Sequence, residues 1–424
     1  MLDIKLLRER LDEVRDGARK KNIAVDLDQL VRVDDERRRL IRKVEDAVAE
    51  QRKRSKALGK MSQEEREAEL AALGELKTAI KADEQELEAT KAEFDALMLQ
   101  VPNIPSPEVP EGATDADNVE LRRVGEPPAP ESTPLDHMEL GERLKLFDIE
   151  RGVRLSGTRF YVLRGAGARL HRAVLNFAYD HMVAKGFEPF EVPVLVRDPA
   201  MVGTAYFPGG EEQAYRLEKD QLNLVGTAEV PLTSFRAGEI LELDELPVRM
   251  VARSICFRRE AGAAGKDTRG LYRIHQFEKV EQVVLMPADE AASLAEHQAI
   301  LNNSEELLQA LELPYRVVNV CGGDLGQPQV QKFDIETWMP SRGAYGETHS
   351  ASRFHDFQSR RLELRYRDAN GKIHYCYTLN NTVAASPRLL IPLLENHQRP
   401  DGSVNVPDVL RPYMGGQERI VAPE

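Results

Sequence analysis

The sequence predicts an α+β protein in two parts: a long antiparallel α-helical coiled-coil arm, then a domain built on an antiparallel β-sheet flanked by helices. Three observations carry that expectation. The first hundred residues hold almost no glycine or proline and repeat apolar residues at helical intervals. A proline-rich stretch then interrupts the chain. Beyond it, short apolar runs come in neighbouring groups rather than in regular βα alternation. A length of 424 residues is too great for one core. With 42% hydrophobic and 30% charged residues the chain can fold, which excludes a disordered or fibrous class.

The arm comes first. Leu30, Val33, Leu40, Val44, Ala47 and Leu58 form one apolar series; Leu70, Leu73, Ile80, Leu87, Phe94 and Met98 form another, in which Leu73, Ile80, Leu87 and Phe94 are spaced by sevens. Gly59 separates the two, and Ser62 with Glu65 has the form of a capping box that starts a new helix. About 30 helical residues at roughly 1.5 Å each give an arm on the order of 45 Å, longer than a globular core requires. The first helix is basic (Arg32, Arg37, Arg38, Arg39, Arg42, Lys43, Arg52, Lys53, Arg54, Lys56) and the second acidic (Glu64, Glu65, Glu67, Glu69, Glu75, Asp83, Glu84, Glu86, Glu88, Glu93). Some of these charges pair across the hairpin; the remainder are free to meet phosphates, in a shape-driven and salt-sensitive way. The whole-chain charge of −13 does not decide that question, because counter-ion release depends on local clustering.

Prolines 102, 105, 107, 110, 127, 128, 130 and 134 mark residues 102–134 as a linker, leaving 1–101 as the arm domain and 135–424 as the second domain. In that domain Val192–Val196, Val248–Ile255, Val280–Met286, Leu362–Tyr366 and Ile373–Leu379 read as strands; Ala168–Lys185, Pro287–Leu311 and Arg388–Asn396 read as helices. No apolar run reaches membrane-spanning length, and the N-terminus lacks the apolar centre of a secretion signal. Cys256, Cys321 and Cys376 are odd in number and too far apart for a CxxC metal site, which points to a reducing, cytoplasmic setting.

The chemistry concentrates in Cys256-Phe257-Arg258-Arg259-Glu260, a Gly/Ala loop over 261–265, and then Asp267-Thr268-Arg269-Gly270-Leu271-Tyr272-Arg273 and His275-Gln276-Phe277-Glu278-Lys279-Val280-Glu281. Strand, flexible loop, strand is the implied shape, with Arg258, Glu260, Arg273 and Glu281 facing one cavity. An arginine fork matches phosphate or carboxylate oxygens, although a salt-bridged surface hairpin would carry the same residues.

These strands resemble the second signature motif of class II aminoacyl-tRNA synthetases. The whole chain resembles the bacterial-type seryl-tRNA synthetase family, through the arm, Thr227-Ala228-Glu229, the two strands above, Glu347-Thr348-His349-Ser350 and Thr378 to Arg388. That resemblance implies the class II catalytic fold and ATP-dependent activation of L-serine, followed by transfer to tRNA(Ser), with tRNA(Sec) as a further substrate. Arg258 would hold the α-phosphate and the serine carboxylate, Glu260 the adenine amino group, and Phe277 would stack on adenine. Arg388 and Arg273 would clamp the β- and γ-phosphates, and Arg259, Thr348 and His349 fall in the ATP-binding segments. Glu347 and Ser350 align with a Mg²⁺ site of hard oxygen ligands; His349, with no second histidine at ligand spacing, is left out of it.

Thr227, Glu229, Arg258, Glu281, Asn380 and Thr382 match the serine-binding positions, with Glu229 near the ammonium and Glu281 and Thr382 near the hydroxyl. On the arm, Arg37, Arg38, Arg42, Arg52, Lys53 and Arg54 are the expected tRNA contacts. Gly186 to Pro193 resembles the first class II motif, which implies a homodimer, although Pro193 alone would also mark a strand edge. The sequence departs from the family pattern at Arg259, in ETHSASR, and in the glycine-poor NNTVAASPR, which bears on fine geometry. Two other classes stay open at this point: a ligase of the same fold that loads a carrier protein, and a non-catalytic RNA-binding or scaffold protein.

Overall fold

The computed structural model describes residues 1–128, 134–262 and 269–423; Pro130 of the expected linker and positions 263–265, 267 and 268 of the expected loop lie outside the described residues. The chain divides into two units, one of 1–19 with 23–102 and one of 20–22 with 103–424.

The first unit holds Ile4–Glu9 (α1), Leu11–Lys20 (α2), whose last residue already falls in the other unit, and the two long helices Leu27–Ala57 (α3) and Gln63–Met98 (α4). Ser62 caps α4 in a reciprocal box: its side chain accepts from the Glu65 N–H, and the Glu65 carboxylate accepts from the Ser62 N–H at 2.9 Å. Leu30 and Leu40 of α3 and Leu73, Ile80, Phe94 and Met98 of α4 are buried, so the heptad stripe is the seam. Leu70, assigned to that stripe from the sequence, is exposed, in the part of α4 nearest the connection between the two helices. The opposite signs of the helices are partly spent on each other: Lys43 meets Asp83 at 2.6 Å and Arg54 meets Glu69 at 2.6 Å.

The second unit is built on an eight-stranded sheet. In chain order its strands are Val119–Val124 (β1), Glu188–Phe190 (β2), Val248–Phe257 (β3), Gln276–Met286 (β4), Tyr315–Asn319 (β5), Gln331–Met339 (β6), Ala344–His355 (β7) and Tyr377–Ser386 (β8). Their order across the sheet is β1-β5-β6-β7-β8-β4-β3-β2, antiparallel except for the β2/β3 edge pair. The region read as a linker therefore contributes an edge strand, β1, paired with β5. Helices Gly165–Ala184 (α5) and Glu290–Ala310 (α6) bury Val174, Leu175, Ala178, Ile300, Leu301 and Leu307 in one core with Val280 and Val284 of β4. Successive strand residues point to opposite faces, so the odd positions Phe277, Lys279 and Glu281 are turned away from those helices.

Three strand expectations need correction. Leu362 ends a helix, Phe357–Leu362, rather than starting a strand; Glu363 at φ 52° breaks the chain direction before the strand Arg365–Arg367. Ile373–Leu379 is two strands, because the run parts at Cys376 between two different sheets. Only Leu195–Val196 of Val192–Val196 forms a strand; the preceding segment contains Pro193, which has no N–H to donate. Among the described residues no helix is long and apolar enough to cross a membrane.

Candidate active site

A cavity of about 330 Å³ opens on the sheet face opposite the core helices. Two β-bulges shape it. In the β6/β7 pair Glu336 faces Glu347 and Asp334 faces Ser350, with Thr348 as the extra residue. The bulge brings Glu347 and Ser350, three apart in sequence, onto the same face. In the β4/β8 pair Glu281 faces Thr382 and Val280 faces Ala384, with Val383 extra, so Thr382 and Ala385 both open into the cavity. A one-residue slip at either place would turn half of these side chains into the core.

Of the residues expected around the nucleotide, Arg258, Glu260, Phe277, Glu347, Thr348, His349, Ser350 and Arg388 line the cavity. Of those expected around the amino acid, Thr227, Glu229, Glu281, Asn380 and Thr382 do so together with Arg258. Arg259 is not among the lining residues: its guanidinium lies over the Tyr215 ring, 5.7 Å from the centroid. Neither is Arg273, which pairs with Glu260 at 3.3 Å and so bears on the cavity through that carboxylate. The lining also includes Tyr206, Ile274 and Lys279, which the sequence reading did not single out. Lys279 was legible, since it stands two residues from Phe277 and two from Glu281 on one strand.

The cations are braced by backbone carbonyls. Arg258 donates from Nε to the Gly226 carbonyl at 3.3 Å and lies 5.2 Å from the Phe277 ring centroid. Arg388 donates to the Tyr272 and Glu347 carbonyls, each at 3.3 Å, and sits over the Tyr272 ring at 4.4 Å. Glu260 adopts φ 52°, a conformation that turns the chain sharply after β3.

The carboxylates divide by environment. The Glu347 side chain is half exposed; desolvation in the cleft pushes it up, but Arg388, Lys332, Arg258 and Arg273 together outweigh that and hold the carboxyl below its ordinary value. Burial, with the neighbouring Glu281 adding to it, pushes Glu229 up to about 7, opposed by a hydrogen bond from Gln358. That bond, from Gln358 Nε2, measures 2.8 Å. Glu281 instead forms a buried ion pair with Lys279. Burial lowers His349 to about 4, so it is neutral at physiological pH, and its Nδ1 lies 2.8 Å from the Thr348 hydroxyl.

Among the described residues no group of three or more His, Cys, Asp or Glu forms a metal cluster. Glu347 and Ser350 nevertheless suit Mg²⁺, which commonly takes one or two protein oxygens alongside substrate phosphates. Asp334, opposite Ser350 on β6, is not among the lining residues and pairs with Lys332 at 3.2 Å.

On the arm, Arg37 pairs with Asp34 at 2.7 Å and lies over Phe94, and Arg38 lies 3.8 Å from Asp35. Arg54 is engaged by Glu69, whereas Arg42, Arg52 and Lys53 are exposed.

Residues 1–105 match the family model "Seryl-tRNA synthetase N-terminal domain", and residues 214–397 match "tRNA synthetase class II core domain (G, H, P, S and T)". The chain is 49% identical over 423 residues to a serine–tRNA ligase of Deinococcus radiodurans, covering 100% of both chains. It is 44% identical over 423 residues to that of Thermomicrobium roseum, covering 99% of this chain and 95% of the other. Its fold is similar to a crystal structure of seryl-tRNA synthetase from Pyrococcus horikoshii complexed with ATP, at TM-score 0.93 and 38% identity with 100% of each chain covered.

Proposed function

This chain belongs to the class II seryl-tRNA synthetases, and from that premise we propose how its cavity carries out the reaction. The enzyme activates serine with ATP and transfers it to tRNA(Ser). In our reading the serine carboxylate attacks the α-phosphorus of ATP, a new P–O bond forms as the bond to pyrophosphate breaks, and seryl-adenylate remains. No protein nucleophile is required. The terminal 3′-hydroxyl of the tRNA then attacks the activated carbonyl, and AMP leaves.

The observation that carries the reading is the joining, in one cavity, of two braced guanidinium groups, Arg258 and Arg388, with the carboxylates of Glu229 and Glu281. Arg258 stabilises charge on the α-phosphate oxygens and Phe277 stacks on adenine, whose amino group donates to Glu260. Arg388 neutralises the outer phosphates, and Arg273 positions Glu260. Glu229 takes the serine ammonium; Glu281 and Thr382 take its hydroxyl. Mg²⁺ held by Glu347 and Ser350 would offset negative charge on the triphosphate. Exposed Arg42, Arg52 and Lys53 of the arm meet the tRNA backbone, and tRNA(Sec) is a second substrate. The enzyme acts as a cytoplasmic homodimer; Val183 near the end of α5 and Ile255 of β3 are exposed apolar side chains available to such an interface.

The test is charging of tRNA(Ser) by the purified protein with ATP, Mg²⁺ and serine. Serine-dependent charging supports the reading. Adenylate formation with no transfer to tRNA under any condition would favour a carrier-loading ligase, and no adenylate at all would favour a non-catalytic protein.

A further inference from the structure

Lys279 lies at the centre of the amino-acid end of the cavity and has no role in the mechanism above. It is 5% exposed, lines the cavity, and forms an ion pair with Glu281, itself 2% exposed. The same ammonium donates to the Thr382 hydroxyl at 3.3 Å, and that hydroxyl donates to Glu281 Oε2 at 3.3 Å. Its place follows from register: Lys279 stands opposite Ser254 of β3 and Ala385 of β8, two small residues that leave room for a long side chain to lie along the sheet. An ionised carboxylate can only accept hydrogen bonds, and a threonine hydroxyl whose proton is already committed can likewise only accept.

We propose that Lys279 is a specificity-determining positioning residue: through its ion pair with Glu281 and its hydrogen bond to the Thr382 hydroxyl it fixes these two acceptors side by side, so that together they require a hydrogen-bond donor on the substrate side chain. The inference rests on the reading that Glu281 and Thr382 receive the serine hydroxyl. Serine supplies the donor, and alanine leaves buried acceptors unpaired. Glu229, by contrast, makes its hydrogen bond to the Gln358 amide, at 2.8 Å. Without Lys279 neither the Glu281 carboxylate nor the Thr382 hydroxyl is held in place, which relaxes the demand for a donor. The charged or titratable groups around this ammonium are Glu281 on its own strand, Cys256 and Arg258 of β3, and Glu229 at the start of the helix Glu229–Ser234; the β8 neighbour Thr382 is uncharged.

Serine-dependent ATP–pyrophosphate exchange on the full-length enzyme tests this, with alanine and 3-fluoroalanine as competitors. Lys279→Met should raise KM for serine on the order of tenfold to a hundredfold and lower the serine-to-alanine preference by a similar factor, with KM for ATP changed far less. Lys279→Gln, which keeps a donor but not the charge, should fall between wild type and Lys279→Met. Equal losses for serine and ATP with the preference intact would reduce Lys279 to a structural residue and overturn the proposal.

If neither variant folds, the wild-type enzyme decides. Fluorine matches a hydroxyl in size and cannot donate, so 3-fluoroalanine should compete no better than alanine; competition approaching that of serine would overturn the proposal. Wild-type enzyme inactive with serine would instead defeat the functional reading on which this one rests.

Discussion

Lowering the pH should weaken serine binding through Glu229. A carboxyl with its pKa near 7 is only about one-tenth ionised at pH ~6, whereas serine keeps its ammonium charged over the same range. If the ammonium binds the carboxylate form, KM for serine rises below pH ~7 towards tenfold per unit, giving roughly a tenfold increase between pH ~7.5 and ~6. The assay is ATP–pyrophosphate exchange against serine concentration at saturating ATP. Glu229→Gln should raise KM at neutral pH and flatten its pH dependence. The same proton has a sign for stability. Folded Glu229 holds it up to about 7 while the unfolded chain releases it nearer the ordinary carboxylate value, so in the ligand-free enzyme this group's contribution falls as pH rises across that window. The slope approaches 1.4 kcal/mol per unit and should vanish in Glu229→Gln. A serine KM that is flat from pH ~7.5 to ~5.5, or that has the same slope in Glu229→Gln, would refute the assignment.

Arg258→Ala should cost at least about a hundredfold in adenylate formation with the circular dichroism spectrum unchanged, because the fork faces the reacting phosphate; a normal exchange rate would contradict that role. Glu281→Gln should raise KM for serine more than KM for ATP, and the reverse would move Glu281 out of the amino-acid pocket. Arg42→Ala, Arg52→Ala and Lys53→Ala should weaken tRNA binding and reduce the slope of log K against log salt by roughly 0.7–0.9 for each phosphate that is no longer neutralised, as read by filter binding. Leu40→Ala, which opens a cavity in the arm seam, should destabilise that unit by about 2–5 kcal/mol by thermal melting.

The arm was legible because its stripe is long and its cap is local: Ser62 and Glu65 lie three residues apart and satisfy each other whatever the rest of the chain does. The strands β3 and β4 were legible from their apolar runs. The bulges were not. Period-two reasoning sends Glu347 and Ser350 to opposite faces, and only pairing with β6, fixed by residues far away in sequence, brings them together. Glu363 at positive φ and the parting of strands at Cys376 escaped for the same reason, since each depends on where the next sheet lies. Lys279 was passed over because a lysine in an alternating strand usually faces water; here an ion pair offsets the cost of its burial. Arg259 and Arg273 share a motif with Arg258, yet alternation and the turn at Glu260 send one to Tyr215 and the other to Glu260.

One cavity must hold ATP and a small hydroxyl amino acid at the same time. Pyrophosphate exchange measured with each of the twenty amino acids tests this most directly. Serine alone should support strong exchange, with alanine and threonine far below it. Exchange driven equally by alanine, or by no amino acid at all, would contradict it.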